Sequence, residues 1–306
     1  MIDTDLSGAR QVSETDTGVT PHSPEYAFDP SDPWTQTFQI ALERAGLEDR
    51  TVYEVGMGTG VNAAFLLRMC GAKRVAGSDL DPRMAALAER NVGSLAPQEA
   101  HRFHPIEGAV SLIDAPAALS EVQKADVVIG CLPQVADPGD PRFGAFRKAS
   151  KTDLPDGADV QEDDHIAHYY PWSAFEDFPF NAVGLGLNEA LLRRLRSCAP
   201  SADVILNFGA RIGVPVLFDL FAANGYRPEK LHAQIVRQHA GTDISFFVAL
   251  ERSLGGTGFD KDFACAFYTD AGGKAHISAT EAQALIEADP DAAIYHEVCT
   301  IRGRPV

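Results

Sequence analysis

Residues 51–70 read TVYEVGMGTGVNAAFLLRMC, and the fold turns on how they are read. Thr51–Val55 is a short run of β-branched, aromatic and apolar residues, the composition of a buried strand. Glycines follow at Gly56, Gly58 and Gly60, and apolar residues then recur at helical spacing over Val61–Cys70. A glycine loop between strand and helix lets the backbone turn tightly and approach a ligand lying over the helix N-terminus. Two familiar loops are excluded. A dinucleotide fingerprint needs its third glycine at position 61, where Val61 stands, and a P-loop needs a Gly-Lys-Ser/Thr that is absent.

Working outward, the alternation continues. A helix is expected over Trp34–Leu47, a strand over Arg74–Asp79, and a helix over Pro82–Val92 with Asp81 as its N-cap and Pro82 at its first position. His101–Ile106 reads as a weaker strand and Asp126–Leu132 as a buried one. After an insertion at 136–181, too long for an ordinary connection, come a helix Gly184–Cys198, a strand Asp203–Phe208 and a helix Val214–Asn224. Leu231–Arg237 and Ile244–Leu250 read as strands. A hairpin (Phe263–Tyr268 and His276–Ser278 around Asp270–Gly273), a short helix and a last strand, Ile294–Ile301, close the chain. This alternation predicts an α/β protein with a mostly parallel, doubly wound, Rossmann-like sheet. The expected organisation is a flexible tail over 1–24, a main domain over 25–254 with a lid-like insertion at 136–181, and a small α+β extension over 255–306 packed on it.

Composition narrows the function. The chain has 306 residues with 26 Lys and Arg against 43 Asp and Glu, a formal charge of -17 that repels polyanions and argues against nucleic-acid binding. No apolar run approaches the roughly 20 residues of a membrane span, and Met1–Pro24 lacks the basic and apolar regions of an export signal, so no membrane partner and a cytoplasmic location are expected. The five cysteines (70, 131, 198, 265 and 299) form no CxxC pair and no cluster at zinc spacing, so no metal is expected.

Glu54-Val-Gly56-Met-Gly58-Thr-Gly60, an acid two residues ahead of a G-x-G-x-G run, resembles the cofactor loop of class I S-adenosylmethionine-dependent methyltransferases. The resemblance implies S-adenosylmethionine as co-substrate and S-adenosylhomocysteine as product. Asp79 ends the second strand about 20 residues on, where a carboxylate can accept both ribose hydroxyls; its alternative use is as a helix cap, a task Asp81 fills better. Glu54 is expected to orient the loop and meet the cofactor ammonium, directly or through water. Glu107 is the nearest acid for adenine, and is as readily an exposed strand-end residue. Cys131 is counted with the cofactor residues.

The segment Val128-Ile-Gly-Cys-Leu-Pro133-Gln-Val lacks the Asn/Asp-Pro-Pro-Tyr/Phe run with which N5-glutamine and N6-adenine methyltransferases hold an amine and remove its proton. Instead Ile129-Gly-Cys-Leu-Pro-Gln134, Gly184-Leu-Gly-Leu187, Asn207-Phe-Gly-Ala-Arg-Ile-Gly213 and Gly241-Thr-Asp-Ile-Ser245 resemble, in order and spacing, blocks of plant methionine S-methyltransferase. Asp32-Pro-Trp-Thr-Gln-Thr-Phe38, Gly77-Ser-Asp-Leu-Asp-Pro-Arg83 and, more weakly, Gly272-Gly-Lys-Ala-His-Ile-Ser278 extend the likeness over most of the chain after residue 30. The length resembles the stand-alone bacterial methionine S-methyltransferases of dimethylsulfoniopropionate synthesis. The resemblance implies methyl transfer to the thioether of methionine, giving S-methylmethionine. A thioether has no proton to lose, so no general base is expected among the catalytic residues.

For the two ends of the amino acid, Arg211 is the candidate for the carboxylate, against a structural salt bridge. Asp243 is the candidate for the ammonium, against a turn residue, with Glu176 and Asp177 as alternatives. Asn207 offers hydrogen bonds to either ligand. Tyr169, Tyr170, Trp172 and Phe175 of the insertion are candidates for an aromatic wall around the two sulfurs, or for packing of the loop itself. The apolar C-terminal strands suggest a homodimer. The competing functions are an N- or O-methyltransferase of a small amine or of protein glutamine, and a non-catalytic sensor of S-adenosylmethionine.

Overall fold

A computed structural model describes residues 32–79, 82–107, 113–134, 178–238, 244–254 and 265–306. The tail over 1–24, nearly all of the insertion 136–181, and Asp81 lie outside these residues. Helix α1 (Pro33–Arg44) starts where Asp32 accepts the Thr35 N–H at 2.9 Å and proline takes the first turn. The alternating part follows: β1 (Thr51–Val55), α2 (Val61–Arg68), β2 (Arg74–Ser78), α3 (Pro82–Leu95), β3 (Phe103–Ile106), α4 (Pro116–Val122), β4 (Val127–Gly130), α5 (Gly186–Cys198), β5 (Asp203–Gly209), α6 (Val214–Ala223) and β6 (Tyr226–Arg237). The remainder is α7 (Ser245–Leu254), β7 (Phe267–Tyr268), β8 (His276–Ile277), α8 (Ala279–Ala288) and β9 (Tyr295–Pro305).

One sheet joins the nine strands of the described residues. β3, β2, β1, β4 and β5 run parallel in that order, and β9 lies antiparallel between β5 and β6. β7 and β8 extend the sheet beside the first residues of β9. This is a doubly wound, Rossmann-like arrangement with a mixed sheet. The order reverses between β1 and β4, so the crevice for a ligand opens at the carboxyl ends of those strands, where the glycine loop leaves β1.

Alternate residues of each strand feed two cores. Val52, Val75, Val127, Ile129 and Ile205 pack with Phe38 and Leu42 of α1 and Leu66 and Leu67 of α2. Tyr53, Val55, Val128, Val204, Leu206 and Phe208 pack on the other side with Leu191 and Leu195 of α5 and Leu217, Leu220 and Phe221 of α6. Burial on both faces explains the nearly continuous apolar runs in β1, β4 and β5. Among the described residues no helix is long and apolar enough to cross a membrane.

The fold corrects one expected element. Ile244–Leu250 is not a strand: Ser245–Leu254 is helix α7, with the Ile244 carbonyl accepting from the N–H of both Phe247 and Val248. Its β-branched and aromatic residues suit a strand, but Ile244 and Val248 are four apart and both buried, which is a helical face. Glu251 of this helix accepts from the N–H groups of Cys265, Ala279 and Thr280, fixing the start of α8. Two strands outrun their expected limits. β6 begins at Tyr226 rather than Leu231, and β9 continues to Pro305, because backbone pairing with each other, bulged at Lys230/His232, carries them past their apolar stretches. Both edges of β9 are paired within the chain, and its apolar side chains Val298, Cys299 and Ile301 are buried.

Gly303 marks how closely β9 is covered. A Cβ there would lie 2.5 Å from the ring of Phe221, which is itself held edge-on by Phe208 and Tyr226. Gly303→Ala is expected to cost about 1–3 kcal/mol by overpacking, read as a lower urea midpoint at unchanged slope. An unchanged midpoint would mean that α6 yields freely.

Candidate functional site

Two groups of side chains gather along the carboxyl edge of the sheet. The first belongs to the glycine loop. The N–H groups of Gly56 and Met57 both bond the Ser78 carbonyl, at 2.9 and 3.1 Å, tying the loop to the end of β2. Gly56, Gly58 and Gly60 have φ of 71°, 50° and 79°, the left-handed region that side chains resist. At Gly60 a Cβ would also stand 2.8 Å from that of Ala88, so this glycine sets the approach of α2 to α3. Asp79 Oδ2 accepts the Gly58 N–H at 2.9 Å, so the acid and the loop form one unit.

Glu54 completes this group. It is 2% exposed, and its Oε1 accepts from Asn62 Nδ2 at 3.1 Å. Its Oε2 is buried with no hydrogen-bond partner among the described residues. Burial pushes its pKa up to about 8, with the Asn62 bond opposing the rise and the Asp79 charge adding to it. Structure thus brings Glu54, the three glycines and Asp79 together around an unsatisfied carboxylate oxygen, which suits a cationic ligand. Glu107 is exposed and directly follows Ile106, the register partner of Ser78, so it leaves β3 level with Asp79.

The second group forms where β4, β5, β6 and β9 meet. Asn207, 1% exposed, donates from Nδ2 to the Trp34 carbonyl at 3.3 Å and to Cys131 Sγ at 3.8 Å, and its Oδ1 accepts from Thr300 at 2.8 Å. The amide expected to serve a ligand is therefore bonded to α1, the β4 exit and β9, and acts as a brace. Cys131, half-buried, sits against that brace between the two groups. Gln134 Oε1 accepts the Gly209 N–H at 2.8 Å, joining the β4 exit to the end of β5.

Arg211 follows β5 in the short turn Ala210–Ile212. Its Nε donates to Gln238 Oε1 at 2.9 Å. The guanidinium carbon lies 5.7 Å from the ring of Trp34 and 5.6 Å from that of Phe247. Loss of hydration lowers its pKa to about 10, which leaves it charged. Among the described residues no carboxylate pairs with it: the ion pairs present involve other arginines and lysines. Gly209 makes room for this arrangement, since a Cβ there would fall 2.8 Å from Trp34 and 2.9 Å from Arg211. His296 is buried alongside, its ring centroid 5.9 Å from that of Trp34, and burial and the Arg211 charge hold its pKa down to about 2. Asp243, Glu176, Asp177, Tyr169, Tyr170, Trp172 and Phe175 lie outside the described residues.

Trp34, Gln134, Gln238, Thr300 and His296 are the site residues that sequence reading passed over. Trp34 and Gln134 lie inside motif blocks and carried a signal. Gln238 and His296 come from the ends of distant antiparallel strands, and no local spacing connects them to Arg211.

Comparison with known proteins bears out the likeness to methionine S-methyltransferases. The chain is 27% identical over 240 residues to the enzyme of that name from Hordeum vulgare, and 28% and 26% identical over 243 residues to those from Zea mays and Arabidopsis thaliana. Each match takes in 74% of this chain and 21% of the relative, so the chain spans about a fifth of the length of the curated relatives it matches. No family model matches. Among solved structures, an S-adenosylmethionine-dependent methyltransferase of Geobacter sulfurreducens with bound S-adenosylhomocysteine superposes with a TM-score of 0.41 at 13% identity, over 96% of this chain and 98% of that one. An RNA methyltransferase of Salinibacter ruber, also with S-adenosylhomocysteine, gives 0.34 at 17% identity over 59% and 77%. The fold rests on the strand order.

The Glu54 environment makes a prediction of definite sign. Between its ordinary value of 4.5 and about 8, the folded chain holds a proton that the unfolded chain has released. This group therefore lowers stability as pH rises through that window. Glu54→Gln cannot ionise, and is expected to raise the ligand-free melting temperature over wild type at pH 8 far more than at pH 5. Parallel pH profiles for the two proteins would show that Glu54 ionises freely in the fold.

Proposed function

We propose that the chain is an S-adenosylmethionine-dependent methyltransferase whose acceptor is the thioether sulfur of free methionine, giving S-methylmethionine. The observation that carries the acceptor side is Arg211, a desolvated guanidinium flanked by two aromatic rings, with no carboxylate paired to it among the described residues. A free α-carboxylate is the ligand such a group takes, in a bidentate pair. The likeness to methionine S-methyltransferases over 74% of the chain supports the same acceptor, and the resemblance to the stand-alone bacterial enzymes suggests a place in dimethylsulfoniopropionate synthesis.

The residues present suit the co-substrate. The buried, unpartnered Glu54 Oε2 accepts its ammonium, Asp79 its ribose hydroxyls, and the left-handed glycines let the backbone approach. When bound, S-adenosylmethionine supplies an electrophilic methyl group on a cationic sulfur. Arg211 holds the methionine carboxylate, with Gln238 and the Trp34 and Phe247 rings fixing the guanidinium plane. Asn207 keeps α1 and β9 in place around that side chain. The attacking sulfur carries no proton, so none of these residues need act as a base. Their work is alignment at about 3–3.5 Å between sulfur and methyl carbon, which can supply roughly 7–11 kcal/mol. Asp243 is proposed for the ammonium, and Tyr170 and Trp172 for the wall around the sulfurs.

Incubation with methyl-labelled S-adenosylmethionine and, in parallel, methionine, homocysteine, glycine and glutamine tests the acceptor. Label is expected in S-methylmethionine, detected by mass spectrometry, and only with methionine. Label on another acceptor would retain the transferase and discard the acceptor, and cofactor binding without any transfer would favour a sensor. Asp79→Ala should weaken S-adenosylhomocysteine binding at least tenfold by calorimetry, since it removes both a ligand acceptor and the anchor of Gly58. Arg211→Ala should raise the KM for methionine far more than that for the co-substrate; equal rises would remove Arg211 from the acceptor site.

A further inference from the structure

His296 has no structural employment for its nitrogens. It is 1% exposed, and neither Nδ1 nor Nε2 has a hydrogen-bond partner among the described residues. Its register neighbours are Val236 on β6 and Phe267 on β7, one at each edge of β9 and both apolar. The Trp34 ring is the shared neighbour of His296 and Arg211, at 5.9 Å from the imidazole and 5.7 Å from the guanidinium carbon. Buried polar groups are almost always paired, and leaving one unpaired costs about 1–3 kcal/mol. A phenylalanine would fill the same space without that cost, so packing does not explain the residue.

Its chemistry next to Arg211 does. The loss of hydration and, after it, the guanidinium charge keep the imidazole neutral, so one ring nitrogen accepts a hydrogen bond and the other donates one. An aspartate or glutamate in this place would pair with Arg211 and close it to a ligand. A neutral imidazole cannot form that ion pair, yet still offers an acceptor lone pair. We propose that His296 accepts a hydrogen bond from the α-ammonium of the acceptor amino acid, and that His296 and Arg211 together read the zwitterionic end of the molecule. This rests on the methionine-acceptor reading above and adds to it a residue that selects free amino acids over other carboxylated thioethers. The substrate carboxylate lies between the two positive groups and screens the ammonium from the guanidinium, so the imidazole has no like charge to overcome.

The test compares kcat/KM for methionine with that for its desamino analogue, which keeps the thioether and the carboxylate. Wild type is expected to prefer methionine at least tenfold, the effect of one charge-assisted hydrogen bond. His296→Phe should lower that preference about tenfold through the KM for methionine, with S-adenosylhomocysteine binding unchanged; His296→Gln, which keeps an acceptor, should recover much of it. Equal use of the two thioethers by wild type would overturn the proposal without any variant. So would an unchanged preference in His296→Phe, and either result would leave methionine as the acceptor. Failure of wild type to make S-methylmethionine would overturn the acceptor reading and this inference with it.

Discussion

The carboxamide of Asn207 bonds three pieces of the molecule that are far apart in sequence: the Trp34 carbonyl in α1, the Cys131 sulfur at the exit of β4, and the Thr300 hydroxyl in β9. It sits in β5, where the parallel half of the sheet gives way to the antiparallel half. Removing such a buried amide would leave its partners unsatisfied at about 1–3 kcal/mol apiece. Its importance is geometric as much as energetic. Trp34 and β9 supply two of the walls around Arg211, so the surroundings of its guanidinium have their shape only while this junction holds.

The two halves of the site are built differently, and their legibility in the sequence follows from that. Glu54, Gly56, Gly58, Gly60 and Asp79 lie within 26 residues on consecutive strands, so strand ends and glycine spacing suffice to bring them together. Arg211 was visible as a cation just beyond β5. Its surroundings were not, because Gln238 and His296 reach it only through the pairing of β6 and β9, a register that hydrophobic pattern alone does not set. Asn207 was visible as a polar residue in a buried strand, but its three partners belong to the tertiary fold, and a carboxamide reads alike whether it serves a ligand or a brace.

The same contrast explains the elements. β1 and α2 begin at the expected residues because the glycines separate them sharply. α7 reads as a strand because Phe246, Phe247 and Val248 favour strands locally, while the helical segment is held by tertiary packing that includes Phe247 against Phe267. α4 carried no strong pattern, with apolar residues spread over only seven positions.

The placement of β9 has a consequence for how the protein comes into being. During synthesis β1 to β5 can pair as they emerge, and the glycine loop with its acids can take shape early. β5 and β6 meet no common neighbour until Tyr295–Pro305 has left the ribosome, some 86 residues after the end of β5. Until that moment Arg211 lacks His296, and two apolar strand edges stand open to other chains. The nascent protein thus passes through a stage at which the glycine loop and its acids are in place while the surroundings of Arg211 are not. Pairing of β9 closes both edges.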